Sequence, residues 1–78
     1  MNYGKKVYIE TISHDGRLVE VGSVHSSLRR AKEFIARLKE CRDNPVDFED
    51  SESKSFGIEY DAGFGIRVRC TITEHIMF

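Results

Sequence analysis

The chain has 78 residues, 40% of them hydrophobic and 32% charged, which suits one small domain over residues 1–78 and excludes wholesale disorder. Two cysteines are too few for a secreted disulfide scaffold, and no apolar run reaches the roughly 18 residues of a membrane span. The formal net charge of −1 excludes a strongly basic or acidic protein. We therefore expect a cytoplasmic protein that does not contact a membrane.

The chain opens with a predicted β-hairpin. Residues 5–13 alternate in polarity and are rich in β-branched and aromatic side chains, so a strand is expected there and a second over about 17–23. The turn between them takes one of two forms. Two residues, Asp15-Gly16, can form a type I′ turn, but we favour a three-residue turn from His14 to Gly16. The longer turn places four apolar residues together on the core face: Val7, Ile9, Val19 and Val21. Tyr8 would then lie on the opposite, solvated face.

A single amphipathic helix is predicted over about 27–42, with Ser26 or Ser27 as its N-cap. Apolar residues recur there at steps of three and four, which places them on one helix face: Leu28, Ala31, Phe34, Ile35, Leu38 and Cys41. The helix should end before Pro45, because the residue that precedes a proline is disfavoured in the α region.

Residues 43–54 are expected to form an acidic loop, and with the helix they separate charge along the chain. Residues 29–42 carry six basic side chains and two acidic ones, whereas residues 43–61 carry seven acidic ones and one lysine. The loop either folds back and neutralises the helix or presents its charges to a partner. The residues expected to bind a partner in this stretch are Arg30, Arg37, Asp47, Phe48, Glu49 and Asp50.

A second hairpin is predicted from strands over about 55–60 and 66–76. Pairing Tyr60 with Ile66 puts the apolar residues of both strands on the core face. The last strand is longer than its neighbour, so its far half should pair with the first hairpin or with a second copy of the chain in a homodimer. Two further residues expected to bind a partner lie on the other face of this strand, Arg67 and Arg69.

These elements predict an α+β protein with a ββαββ order, in which one helix packs on one face of a four-stranded, mainly antiparallel sheet. The histidines and cysteines lack the spacing of metal ligands, and both Cys41 and Cys70 are expected to be buried. We therefore expect no catalytic residue, no metal and no cofactor. The favoured class is a non-catalytic protein-interaction module. The alternative is a small nucleic-acid-binding protein that uses the basic helix flank and the face carrying Arg67 and Arg69.

The order of elements also resembles that of a known group of proteins. Residues 19–23 (VEVGS) lead through 26–28 (SSL) into 30–32 (RAK), then into a loop and a hairpin, and this resembles small phage-encoded ββα(ββ) proteins. Some anti-CRISPR proteins that bind host nuclease or surveillance complexes have this organisation. The resemblance covers most of the chain as topology and includes no motif, so no functional residue carries over. It implies an inhibitor in the host cytosol that occludes its partner, with the acidic loop imitating phosphates or the basic helix binding an acidic partner.

Overall fold

The structure is a computed structural model that describes residues 4–77, except for the side chains of Leu18 and Val19. Within that range the elements are β1 (Lys5–His14), β2 (Arg17–His25), α1 (Leu28–Cys41), β3 (Asp43–Asp50), β4 (Ser55–Asp61) and β5 (Arg67–Met77). The strands form one antiparallel sheet in the order β2-β1-β5-β4-β3. The α+β class with one helix and an open antiparallel sheet is confirmed, whereas the predicted four strands are wrong, because the described sheet has five.

The additional strand, β3, lies where the acidic loop was predicted. Its side chains alternate between the two faces of the sheet, the apolar Val46 and Phe48 on one and the acidic Asp47 and Glu49 on the other. Pro45 lies in an irregularity of the β3–β4 register, where the ladder does not need its missing N–H. The loop prediction is wrong because the proline and the dense acidic residues resemble turn signals, although an edge strand tolerates both.

The helix begins at Leu28, and Ser27 is its N-cap, with the hydroxyl accepting a hydrogen bond from the Arg30 N–H at 3.2 Å. Ala31 and Ile35, in the middle of the predicted apolar stripe, are buried in the core. The two ends of the stripe, Leu28 and Cys41, are exposed. The prediction that Cys41 is buried is therefore wrong, because the last turn of α1 extends beyond the packed centre of the sheet.

The first hairpin turns through two residues. His14 pairs with Arg17, and Asp15 and Gly16 both have positive φ, at 50° and 83°, as a type I′ turn requires. The favoured three-residue turn is therefore wrong, and its two-residue alternative is correct. Aspartate is among the few residues other than glycine that adopt positive φ at low cost.

The face of β1 that packs against α1 is the opposite of the one predicted. Tyr8 belongs to the core instead of the solvated face, and it shares the helix side with Glu10 and Ile12. The predicted core residues Val7, Ile9 and Val21 do share a face, but it is the open one. Val7 is nevertheless buried there as predicted, Val21 is exposed, and the side chain of Val19 lies outside the described residues. The reason is the pairing with β5. Residues directly opposite Cys70 and Ile72 must point to the same side of the sheet.

The β4–β5 hairpin keeps the predicted faces with a shifted register. Tyr60 pairs with Val68, two residues beyond the predicted Ile66. In the turn, the Ile66 N–H donates to the Gly63 carbonyl and the Ala62 N–H to that of Ile66, each at 3.0 Å, so Ile66 closes the loop. Because side chains alternate with period two, a shift of two residues leaves each one on its predicted face.

The central position of β5 determines how the sheet can be extended. β5 pairs with β1 from Lys5↔Met77 to His14↔Val68 and with β4 from Ser55↔Thr73 to Asp61↔Arg67. Its far half therefore pairs with the first hairpin, which is one of the two predicted alternatives. Since β1 and β4 cover both sides of β5 as far as Thr73, a second copy of the chain could pair with β5 only at residues 74–77, on the side that β4 does not reach.

Two isoleucines test where the core lies. Ile58 has no exposed surface and packs in the core under α1, whereas Ile76 is 56% exposed. Ile58→Ala should lower the free energy of unfolding by about 2–5 kcal/mol through lost burial and a residual cavity, and Ile76→Ala by less than about 1 kcal/mol. Urea unfolding followed by circular dichroism measures both. Equal losses would contradict this placement of the core.

Candidate functional site

The helix is too narrow to cover the sheet. Five strands about 4.8 Å apart make a sheet about 19 Å wide, whereas a helix with its side chains is about 10 Å across. α1 packs closest to β1, β2 and β4. The helix side of the edge strand β3 is therefore left open, and a groove runs between α1 and β3.

Two adjoining cavities of about 370 and 290 Å³ make up this groove, and they share Lys32, Glu49 and Phe56. Its apolar floor includes Ile35 and Phe56. Four carboxylates and two ammonium groups line it, so we call it the acidic groove: Asp47, Glu49, Asp50 and Glu74 against Lys32 and Lys54. This charge favours a cationic ligand over an anionic one.

The carboxylates of the acidic groove differ in how firmly they are engaged. Asp47 forms an ion pair with Lys39 of α1 at 2.5 Å, and both side chains are largely exposed, so the pair contributes little to stability. Glu49 makes no side-chain hydrogen bond or ion pair within the described part of the chain. Asp50 accepts a hydrogen bond from the Glu52 N–H at 3.0 Å. Hydrogen bonds lower the pKa of Asp50, first from the Ser53 hydroxyl and then from the backbone N–H groups of Glu52 and Ser53. Glu49 is thus the carboxylate most available to a partner, and Asp47 becomes available where a partner cation displaces Lys39.

The ring of Phe48 lies on the open face of the sheet, and the residue also lines the first of the two cavities of the acidic groove. Its ring packs over Gly57 of β4, where a Cβ atom would lie 3.1 Å from the ring and 1.8 Å from the Cys70 carbonyl oxygen. The guanidinium of Arg69 stacks on the same ring at 3.9 Å from its centroid. Phe48 therefore fixes β3 to the sheet and at the same time positions Arg69.

The two sheet arginines are held by neighbouring side chains. Arg67 forms an ion pair with Asp61 at 2.7 Å, and Arg69 lies 3.8 Å from Glu59. The pKa of Asp61 is lowered first by the Asn44 amide and then by Arg67, each through a hydrogen bond. Both guanidinium groups are therefore already paired with carboxylates of the neighbouring strand β4.

Arg30 and Arg37 lie on the other flank of α1, beside β2. With Arg29, His25, Phe34 and Glu33 they line a cavity of about 440 Å³, which we call the basic groove. Only Arg29 of these arginines has an ion-pair partner in the described chain, Glu33 at 3.8 Å.

The residues predicted to bind a partner thus fall on three surfaces: the acidic groove, the open face and the basic groove. The basic helix flank and the Arg67–Arg69 face lie on opposite sides of the sheet, so they do not form one continuous surface.

A buried polar network lies on the helix side of the first hairpin, and the sequence contains no pattern that predicts it. Glu10 is only 4% exposed, and Oε1 accepts hydrogen bonds from the Ser23 N–H and hydroxyl, each at 3.0 Å. Ser23 and Gly22 bulge opposite Glu10, and a Cβ on Gly22 would lie 2.2 Å from Oε1. The bulge therefore provides both the donors and the space for a buried carboxylate.

The same network contains a serine, a histidine and a carboxylate, but in an order that does not match a catalytic triad. Ser23 Oγ lies 2.8 Å from His25 Nε2, and the carboxylate of Glu10 accepts from the serine instead of the imidazole. A triad needs the carboxylate to orient the histidine. The imidazole packs instead against Phe34 of α1, with ring centroids 4.9 Å apart, so the network joins β2 to the helix.

The two cysteines lie in different environments. Cys41 is exposed and Cys70 is buried in the core. Burial, with a further contribution from the charge of Glu10, raises the pKa of the Cys70 thiol to about 11. Among residues 4–77, no group of three or more histidine, cysteine, aspartate or glutamate side chains is placed to hold a metal ion. No helix in the same range is long and apolar enough to cross a membrane.

Comparison with known proteins finds no match to any protein family, any curated protein or any solved structure. The resemblance to anti-CRISPR proteins therefore stays a prediction.

Several residues that line the acidic groove were not among those predicted to bind a partner, and Lys32, Ile35 and Phe56 are examples. The sequence pattern indicates only an ordinary amphipathic helix at Lys32 and Ile35, and it indicates a core residue at Phe56. The alternation of Val46, Asp47, Phe48 and Glu49 was the available signal, because it is the pattern of an edge strand with one acidic and one apolar side.

The thiols provide a test of this arrangement. In the native protein near neutral pH, one equivalent of a chromogenic thiol reagent should react rapidly with Cys41, and Cys70 should react only as fast as the protein opens. Cys41→Ser should abolish the rapid phase, and Cys70→Ala should leave it unchanged. Rapid modification of two thiols would contradict the burial of Cys70.

Proposed function

We propose that this protein is a non-catalytic protein-interaction module that binds a positively charged partner protein along the acidic groove and β3. The observation that carries the proposal is the edge strand itself. It is a β-strand, it alternates acidic and apolar residues from Val46 to Glu49, and it borders a groove with an apolar floor. A surface of this kind provides both contact area and charge to a protein ligand.

A partner segment is favoured over a small molecule as the ligand of the groove. Small-molecule sites are concave pockets with a few polar groups that converge on the ligand. Here the carboxylates are spread along β3 from Asp47 to Asp50, next to the exposed edge of the sheet. This distribution matches an extended ligand that runs along the strand.

Inhibition by occlusion follows directly from such binding. A partner surface that binds nucleic-acid phosphates is rich in lysine and arginine. The carboxylates of Asp47 and Glu49 would pair with those residues and exclude the phosphates, and no cofactor is needed. This is also the mode of action that the resemblance to anti-CRISPR proteins implies.

Neutralising the acidic groove tests the proposal. The triple variant Asp47→Asn, Glu49→Gln and Asp50→Asn should lose at least about tenfold in affinity for the partner, since it removes three carboxylates from the contact surface. Its thermal stability should change little, because all three residues are exposed and asparagine can still accept the turn hydrogen bonds of Asp50. Affinity capture from the source organism, followed by mass spectrometry and titration of the captured protein, measures the effect.

A matched control removes the same charge elsewhere. Glu20, Glu33 and Glu40 are exposed and do not line the acidic groove. Their replacement by glutamine should leave partner binding within about twofold of the original, since rim charges distant from a contact act mainly through long-range steering. Equal losses in the two triple variants, or full binding by both, would show that the groove is not the binding site.

The second candidate, nucleic-acid binding, is favoured by the basic groove. Arg30 and Arg37 have no ion-pair partner in the described chain, so both guanidinium groups are available to an anion. Their position beside the rings of His25 and Phe34 would allow phosphate contact and base stacking in one cavity.

A salt titration tests this candidate. Replacing Arg30 and Arg37 with glutamine should weaken binding to a single-stranded oligonucleotide and reduce the slope of log affinity against log salt by about 1.4 for two lost phosphate contacts. Arg17→Gln with Lys54→Gln removes two exposed charges elsewhere and serves as the control. If the unmodified protein does not bind the oligonucleotide at low salt, nucleic-acid binding is excluded.

A further inference from the structure

We infer that the partner contributes an extended segment that pairs with the free edge of β3 as a sixth strand, and that this segment alternates basic and apolar residues. The inference rests on the proposed function and specifies the chemistry and conformation of the ligand. It follows from three properties of β3: its free edge, its regular register from Val46 to Asp50 and the different side chains on its two faces.

β3 lies at the end of the sheet. In the described residues it pairs with β4 on one side and with no strand on the other. Along such a strand, alternate residues direct their N–H and C=O groups away from the sheet, where an added strand can pair with them. From Val46 to Asp50 the pairing with β4 has no break, so the outward backbone groups follow one another without the interruption that a bulge would cause.

The other edge of the sheet, β2, is less suitable. Its register with β1 shifts twice, between the partners of Ile9 and Thr11 and between those of Ile12 and Ser13. Register irregularities of this kind twist an edge and interrupt its ladder of backbone groups, which is how many proteins prevent unwanted strand addition. β3 is thus the edge at which an added strand fits best.

The two faces of β3 determine which side chains the added strand should carry. Residues directly opposite each other on neighbouring strands share a face and lie about 5 Å apart. Asp47 and Glu49 point to the helix side, so the residues opposite them should be lysine or arginine. Val46 and Phe48 point to the open face, and Val46 is 54% exposed, so the residues opposite these should be apolar. The complement of β3 is a strand of alternating basic and apolar residues.

This charge pattern argues against β3 pairing with β3 of a second copy. The helix side of two paired β3 strands would bring carboxylates together, and like charges directly opposite each other are destabilising. A basic partner segment is therefore the occupant to which we commit.

The Lys39–Asp47 ion pair makes the inference more specific. An incoming basic side chain opposite Asp47 must compete with Lys39, which already lies 2.5 Å from that carboxylate. Removing Lys39 should therefore increase affinity for a basic strand. If the segment does not reach Asp47, the removal of Lys39 should leave its affinity almost unchanged.

The test uses a capped seven-residue peptide that alternates lysine and valine, titrated into the full chain and followed by amide NMR and hydrogen exchange. Binding should slow the exchange of the outward-facing amides between residues 46 and 50. Asp47→Asn with Glu49→Gln should weaken the peptide by about tenfold, and Lys39→Gln should strengthen it by about twofold to fivefold.

Two control peptides separate strand pairing from simple charge attraction. A block peptide of the same composition keeps the charge and loses the alternation, and a peptide N-methylated at alternate residues keeps the side chains and loses half of its backbone donors. Both should bind at least about tenfold more weakly than the alternating peptide. Equal binding of the alternating and block peptides, or no added protection of β3, would overturn the inference.

The outcomes distinguish this inference from the proposed function. If the Asp47, Glu49 and Asp50 triple variant loses the native partner while the alternating peptide protects no β3 amide, the groove binds proteins without strand addition and only the inference fails. If the triple variant retains the native partner in full, the proposed function fails, whatever the peptide does.

Discussion

A helix about 10 Å across rests on a sheet about 19 Å wide, and this mismatch determines which residues of the protein are buried and which remain available. The helix lies over the middle of the sheet, so the central strand β5 contributes three of the most buried side chains: Val68, Cys70 and Ile72. Of the two edge strands, α1 contacts β2 and leaves the helix side of β3 open. Grooves consequently form on both flanks of α1, and they differ in charge: carboxylates predominate beside β3 and arginines beside β2.

The two edge strands of the sheet also differ in regularity, because β2 is bulged and β3 is regular from Val46 to Asp50. A single buried carboxylate accounts for one of the bulges in β2. Glu10 needs hydrogen-bond donors and space, and β2 supplies both by bulging at Gly22 and Ser23. The bulge satisfies the carboxylate and interrupts the outer edge of β2 at the same time. β3 has no such irregularity between Val46 and Asp50, so it keeps a regular edge. Its acidic side chains limit which strands can pair with that edge, because only a basic strand complements them.

Acidic and basic residues that are separated along the chain also lie on opposite flanks of α1 in the fold, with carboxylates beside β3 and arginines beside β2. The acidic segment folds beside the basic helix, but only Lys39 and Asp47 form an ion pair between them in the described residues. Glu49 on one flank and Arg30 and Arg37 on the other are without ion-pair partners in the same part of the chain. The arrangement therefore combines both alternatives considered from the sequence, since part of the charge is neutralised and part is presented to solvent. It is this second part that the proposed binding surfaces use.

The sequence by itself determined the elements whose pattern is local. Examples are the N-cap at Ser27, the centre of the helical stripe at Ala31 and Ile35, and the alternation of β5. It did not determine which face of β1 packs inward, because Val7 and Ile9 on one side and Tyr8 and Ile12 on the other are equally suited to a core. Pairing with the central strand decided between them. Nor did it identify β3, because an acidic segment with a proline becomes a strand only when a neighbour such as β4 supplies the hydrogen bonds that its backbone lacks alone.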